Sequence, residues 1–206
     1  MKQTFTTTII LFCIVLAVGV IIGNTWKSES TELSKNLRQS ELDTESFLVE
    51  QELFESFETN CDLAGKRLST LSEELWKLGK VLGTEDAKER LGEENYNLLK
   101  RKYHLTQIRT YVLEKKLQQD CKSTTNVILY YFKQNDPASE QQGKILDELA
   151  ATYPMHVFAI EYHYSKELEF LEDYYGITKA PSLVVNFEKV LTGPVEKEKL
   201  TPLLHG

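Results

Sequence analysis

The sequence predicts an α/β fold that is preceded by a transmembrane helix and a long helical hairpin or coiled-coil arm. Three observations support this. Residues 5–23 carry no charge, apolar residues then recur at three- and four-residue spacing, and from residue 126 short apolar runs alternate with amphipathic stretches. The predicted organisation is an anchor at residues 1–26, a tether at 27–40, an arm at 41–121 and a globular domain at 126–206.

Composition limits the classes of function. The 206-residue chain has a formal net charge of -7, so it lacks the basic surface that nucleic acid requires, and no nucleic-acid partner is expected. The four histidines show no metal-ligand spacing with the cysteines or with one another, so neither a metal nor another cofactor is expected. The short basic run at residues 100–102 lies among acidic residues and is interpreted as a solvated helix face.

The N-terminal apolar run can be interpreted in two ways. As a helix, residues 5–23 span about 28 Å, which is enough to cross a bilayer, and Trp26 suits the membrane interface. The alternative is a cleaved signal peptide, because Lys2 precedes the run, although no small-x-small cleavage site is evident. Positive charges lie on both sides and leave the orientation open. We expect a single-pass protein of the cell membrane whose body lies outside the cytoplasm.

The arm is predicted from heptad spacing. Apolar residues repeat through Phe47, Phe54, Phe57, Cys61, Ala64, Leu68, Leu71, Leu75, Leu78 and Leu82. Gly83 ends this helix, and a second helix with Leu91, Leu98, Leu105 and Val112 runs to about residue 119. The simplest arrangement is an antiparallel hairpin with its tip near Gly83. Periodicity alone leaves open a partner-binding arm, a spacer and a surface for homo-oligomers.

The C-terminal domain is predicted from alternating strand and helix patterns in the order β-α-β-α-β-β-α. Its most specific segment is residues 175–185, in which Gly176 ends a helix and Pro181 stands where an apolar strand begins. The C-terminal domain resembles the thioredoxin fold in three features, which are this segment, the helix face at residues 145–150 and Gly193. The resemblance covers residues 126–204. It implies a central mixed sheet flanked by helices, and a cis-proline groove at Ala180 and Pro181.

In redox-active members of that superfamily a Cys-x-x-Cys motif occupies the start of the first long helix. Asp136-Pro137-Ala138-Ser139 matches this motif here, so both thiols are absent. Aspartate is a favoured N-cap and proline a favoured first helical residue, so the sequence preserves the helix start without the redox couple. A hydrolytic role for Asp136 and Ser139 lacks a base, and capping is the preferred interpretation.

Two of the three cysteines form a candidate disulfide pair. In a straight hairpin with its tip at Gly83, Cys61 faces about residue 106, and Cys121 lies roughly 22 Å away along the helix. A disulfide needs Cα atoms within about 7 Å, so it requires the helices to break, for instance at Gly65 or Gly92. A structural disulfide, free or intermolecular thiols and a catalytic pair are left open.

These observations predict a membrane-anchored, redox-inactive thioredoxin-like protein that binds or scaffolds a protein or peptide partner without catalysis. One alternative is a thiol-disulfide oxidoreductase that uses Cys61 and Cys121 or the cysteines of a partner. Another is a membrane-tethered spacer that oligomerises through its heptad helices. No catalytic residue is assigned.

Overall fold

The computed structural model describes residues 60–205, which begin with a pair of long helices. Helix α1 spans Cys61–Leu82 and is capped by Asn60, whose side chain accepts a hydrogen bond from the Leu63 amide at 3.0 Å. A five-residue helix α2, Ala87–Leu91, and the 29-residue helix α3, Glu93–Cys121, follow. Helices α1 and α3 pack against each other along their length. The predicted arm residues before Asn60 lie outside the described residues.

The chain reverses at Gly92, which changes the register of the helix pair. Gly92 has φ +75°, a left-handed backbone that glycine adopts readily, whereas Gly83 has an ordinary φ of -83°. Gly79 faces the Tyr103 ring across the pair, and both residues lie equally far along the chain from Leu91. The expected tip at Gly83 is therefore wrong, because α2 and the start of α3 extend beyond the end of α1.

A four-stranded sheet follows the helix pair. The remaining elements are β1 (Asn126–Phe132), α4 (Pro137–Ala150), β2 (Met155–Glu161), a 3₁₀ turn (Lys166–Leu168), α5 (Glu169–Tyr175), β3 (Ser182–Val185), β4 (Lys189–Thr192), α6 (Lys197–Leu200) and a second 3₁₀ turn (Thr201–Leu203). The strand order is β2-β1-β3-β4. Strand β1 pairs parallel with β2 and antiparallel with β3, and β3 pairs antiparallel with β4.

Each face of the sheet is covered by helices. On one face Leu129 and Tyr131 of β1 pack with Ile108 and Tyr111 of α3 and with residues of α5. On the other face Ile128 of β1 packs with the apolar residues of α4 and α6. Because both faces are buried, β1 is a nearly continuous apolar strand, as central strands of α/β sheets usually are.

The predicted fold class needs correction. The structure is a mixed α/β arrangement with one four-stranded sheet, and within residues 60–205 no helix has the length and apolar character needed to cross a bilayer. Helices α1 and α3 are long enough to cross a bilayer, but both carry charged side chains throughout their lengths, which the apolar interior of a membrane disfavours. The anchor predicted at residues 1–26 lies outside the described residues.

Candidate functional site

The helix start that matches the redox motif is an N-terminal cap. Asp136 is the N-cap of α4 and Pro137 its first residue. The Asp136 Oδ2 atom accepts hydrogen bonds from the Ser139 amide at 2.8 Å and from the Ser139 hydroxyl at 2.7 Å. The bond from the Ser139 hydroxyl has the larger effect and the bond from the Ser139 amide the smaller one, and both lower the pKa of the Asp136 carboxyl below its usual value. The carboxylate is thus held ionised to cap the helix.

Ser139 is buried and fully engaged. Its side chain is 2% exposed, its hydroxyl donates to Asp136, and its Oγ atom accepts from the Lys133 amide at 3.1 Å. The Ser139 carbonyl accepts from the Tyr130 hydroxyl. A nucleophilic serine needs a base that takes its proton and a path to substrate. Ser139 has a carboxylate that already accepts two bonds, and it is inaccessible, so this arrangement supports capping.

The segment before β3 presents an unpaired backbone group. The Ala180–Pro181 peptide bond is cis. The Pro181 carbonyl accepts from the Gly193 amide at 2.8 Å, and the Ser182 hydroxyl donates to the Lys179 carbonyl at 2.7 Å. Among the hydrogen bonds between residues 60–205, none uses the amide or the carbonyl of Ala180. Ala180 is half-buried, so its backbone lies at the edge of the protein surface.

The sheet topology brings the start of α4 and the segment before β3 to the same end of the sheet. Tyr131 of β1 pairs with Ser182 of β3, so Pro181 lies next to the point where β1 ends. The loop from β1 to Asp136 leaves from the same point. Ligands of open α/β sheets bind beyond the carboxyl ends of the strands, where neighbouring connections cross to opposite faces. Asp136, Ala180 and Pro181 therefore border the candidate site.

The two candidate cysteines lie at the opposite end of the sheet. Cys61 and Cys121 form a disulfide with Cα atoms 5.8 Å apart, and the helices between them are continuous at Gly65. The two cysteines meet because the helix pair folds back next to Leu91, and each cysteine lies 30 residues along the chain from Leu91. The Gln118 side chain binds the Thr125 carbonyl just before β1 begins. The length of β1, about 20 Å, therefore separates the disulfide from the candidate site.

Sequence reasoning missed a row of polar contacts between α3 and the outer edge of β2. Lys100 forms an ion pair with Glu161, the Gln107 amide binds the backbone of Ala159, and Glu114 binds His156. The interpretation of Lys100 as part of a solvated face is wrong, because Lys100 is 8% exposed. The signal was the seven-residue spacing of Lys100, Gln107 and Glu114, which places them on one helix face.

His104, which lies beside this row, and His156, which belongs to it, have opposite pKa shifts. Burial, and to a smaller extent the positive charge of Lys100, lower the pKa of His104 to about 4. The backbone of Ala159 has a smaller effect, which raises this pKa. His104 is 1% exposed, and neither ring nitrogen has a hydrogen-bond partner among the described residues. The hydrogen bond to Glu114 raises the pKa of His156. Within residues 60–205 no cluster of histidine, cysteine and acidic side chains is arranged to hold a metal ion.

No protein-family model and no curated protein matches the chain. Among solved structures the chain is similar to one described as "Structure of a malarial protein", at 19% sequence identity and a TM-score of 0.33. The match covers 38% of this chain and 92% of that one. At this TM-score the similarity carries no argument about fold or function.

Proposed function

We propose that residues 126–205 form a thioredoxin-like domain that lacks dithiol chemistry and binds an extended segment of another protein beside Ala180. The observation that carries this proposal is the unpaired backbone of Ala180 at the carboxyl end of β1. An N–H and a C=O that have no internal partner offer one donor and one acceptor to an extended peptide, as in strand addition.

The chemistry of the neighbouring helix start supports binding without catalysis. Thiol-disulfide exchange requires a thiolate, and the two matching positions hold Asp136, which caps the helix, and Ser139, which is buried. The disulfide of Cys61 and Cys121 lies at the other end of the sheet. A segment bound at Ala180 would therefore find no thiol at Asp136 or Ser139 and would lie far from Cys61 and Cys121.

Peptide binding tests the proposal directly. Decapeptides are selected from a random phage library on the immobilised full chain, synthesised, and titrated into ¹⁵N-labelled protein. We expect one group of peptides to shift the amide resonances of Ala180, Lys133 and Asn135. The variant A180P, which removes the N–H donor and keeps the C=O acceptor, should weaken these peptides about tenfold, the effect of one hydrogen bond, whereas A180G, which keeps both groups, should bind them normally.

Two outcomes would contradict this binding site. One is the absence of any selected peptide that shifts Ala180. The other is equal affinity for the wild type and for A180P when circular dichroism shows that both variants are folded. The spectra of the wild type alone decide the first outcome, so the test does not depend on the folding of a variant.

A catalytic assay separates this proposal from an oxidoreductase. The full chain should not accelerate the reduction of insulin by dithiothreitol, whereas the variant D136C/S139C should gain that activity, because it restores both thiols at a helix start. Wild-type turnover that disappears in C61S would instead assign an oxidoreductase that works through the disulfide. Such a result would overturn the non-catalytic proposal.

A further inference from the structure

Strand β2 has an outer edge whose backbone groups can be assigned individually. Even-numbered positions bond toward β1, since Pro154 accepts from Asn126 and Tyr162 donates to Phe132. In a parallel strand the N–H and C=O of one residue point to the same side and alternate along the chain. The backbone groups of Val157 and Ala159 therefore point away from the sheet.

The protein closes this edge at one position and leaves it open at the next. At Ala159 the Gln107 side chain accepts from the N–H and donates to the C=O, both at 2.7 Å. The Glu161 carbonyl accepts from the Tyr164 amide at 3.2 Å. Among the described residues no hydrogen bond reaches the outward N–H or C=O of Val157. An open strand edge is a template for pairing with another chain.

The open edge lies in a groove with three sides. One cavity of about 380 Å³ is lined by residues that include Trp76 and Lys80 of α1. A second cavity of about 240 Å³ continues toward the start of β2. Both share Leu75, Val157 and Phe158, so they form one groove with α1 as one wall, the edge of β2 as the other and α3 between them.

The walls of the groove define the chemistry of an occupant. Trp76 is 64% exposed, and the Lys80 ammonium lies 5.0 Å from the centre of its ring. An exposed tryptophan beside apolar Leu75 and Phe158 suits an apolar side chain. Lys80 has no salt bridge with a described residue, so it can pair with a carboxylate.

We propose that an extended segment of a partner protein adds to β2 at Val157, with an apolar residue on Trp76 and an acidic residue toward Lys80. The edge from Met155 to Phe158 is about 10 Å long and accommodates about three residues at 4.8 Å from β2. This site is separate from the proposed site at Ala180.

Mapping of selected peptides tests the proposal. The full ¹⁵N-labelled chain is titrated with decapeptides selected from a random phage library on the full chain. We expect a group of peptides, enriched in apolar and acidic residues, that shifts the Val157 amide and the Trp76 indole without shifting Ala180. If no selected peptide shifts Val157, the proposal is wrong, whatever happens at Ala180.

Matched variants distinguish strand addition from adhesion to an exposed tryptophan. V157P removes the outward N–H without breaking a bond to β1 and should weaken these peptides about tenfold, whereas V157T should bind normally. W76A should weaken them about 30-fold, whereas F170A, which truncates another exposed aromatic residue, should not. K80E should abolish the preference for acidic peptides.

The outcomes can be read separately. Weakening by W76A with no effect of a folded V157P would replace strand addition with simple apolar adhesion and overturn the proposal. Self-association in sedimentation that W76A abolishes, without peptide binding, would assign the groove to a second copy and also overturn it. Shifts at Val157 in wild-type protein keep the test valid if V157P does not fold.

Discussion

Replacement of His104 by leucine should remove an acid-sensitive element of stability. His104 is 1% exposed and its ring nitrogens have no hydrogen-bond partner among the described residues, so protonation places an unpaired charge in the interior. Its pKa in the folded protein is about 4, against 6.5 for an exposed histidine. The unfolded chain therefore binds more protons between these values, and stability falls as the pH is lowered through this window.

The magnitude follows from the two pKa values. Between pH 8 and pH 5 the linkage relation assigns His104 a loss of about 2 kcal/mol, and below pH 4 the loss approaches about 3 kcal/mol. At pH 8 leucine removes two unpaired polar atoms but also the ring contact with Tyr164, whose centroid lies 5.1 Å away. These effects oppose each other, so H104L should lie within about 1 kcal/mol of the wild type at pH 8.

Urea unfolding at pH 8 and pH 5, with the disulfide intact, measures this effect. The wild type should lose about 2 kcal/mol more than H104L between the two conditions, because other groups titrate equally in both proteins and cancel. The variant H104Q is a matched control that keeps a buried polar group without a titrating one. Its stability should depend on pH as weakly as that of H104L, although it lacks the apolar packing of leucine. Equal pH dependence of H104L and the wild type, within about 0.5 kcal/mol, would refute the reasoning.

Three further predictions concern other parts of the fold. The variant C61S/C121S should lose about 4 kcal/mol of stability in urea, since the disulfide closes a loop of 60 residues in the unfolded chain; an unchanged midpoint would contradict this. Q107L should cost about 3 kcal/mol in the same assay, because it unpairs an N–H and a C=O of β2, whereas exposed Q119L should cost less than about 0.5 kcal/mol. Burial raises the pKa of Glu172, so ionisation opposes folding at high pH. E172Q should therefore raise the melting temperature at pH 8, with a gain that shrinks toward pH 4, and a gain that grows in acid would be inconsistent with this.

The cap at Asp136 shows how far local sequence rules reach at the candidate site. An aspartate followed by proline predicts a helix start from the needs of the first backbone amides alone, and the structure has that helix start. The unpaired backbone of Ala180 is different. It depends on the pairing of β1 with β3 and of Pro181 with Gly193, which residues close in sequence do not determine.

The helix pair shows why local patterns failed elsewhere. Heptad spacing identified two helices, but a stop signal at Gly83 gave the wrong tip, because the reversal depends on the positive φ of Gly92. With that register the distance between Cys61 and Cys121 changes from one that forbids a disulfide to 5.8 Å. A local signal cannot choose between two glycines when the choice depends on packing between the helices.

By itself, the sequence determined the order of strands and helices from residue 126 onward and the absence of thiols at the helix start of α4, because these follow from periodicity and from residue identity. Only the tertiary structure decided which residues meet across the fold. Lys100, Gln107 and Glu114 resemble solvent-facing residues in the sequence, and they are buried because their polar groups find partners on β2. Such pairing is a long-range property, since the free energy of burying a polar group depends on the partner that the fold supplies.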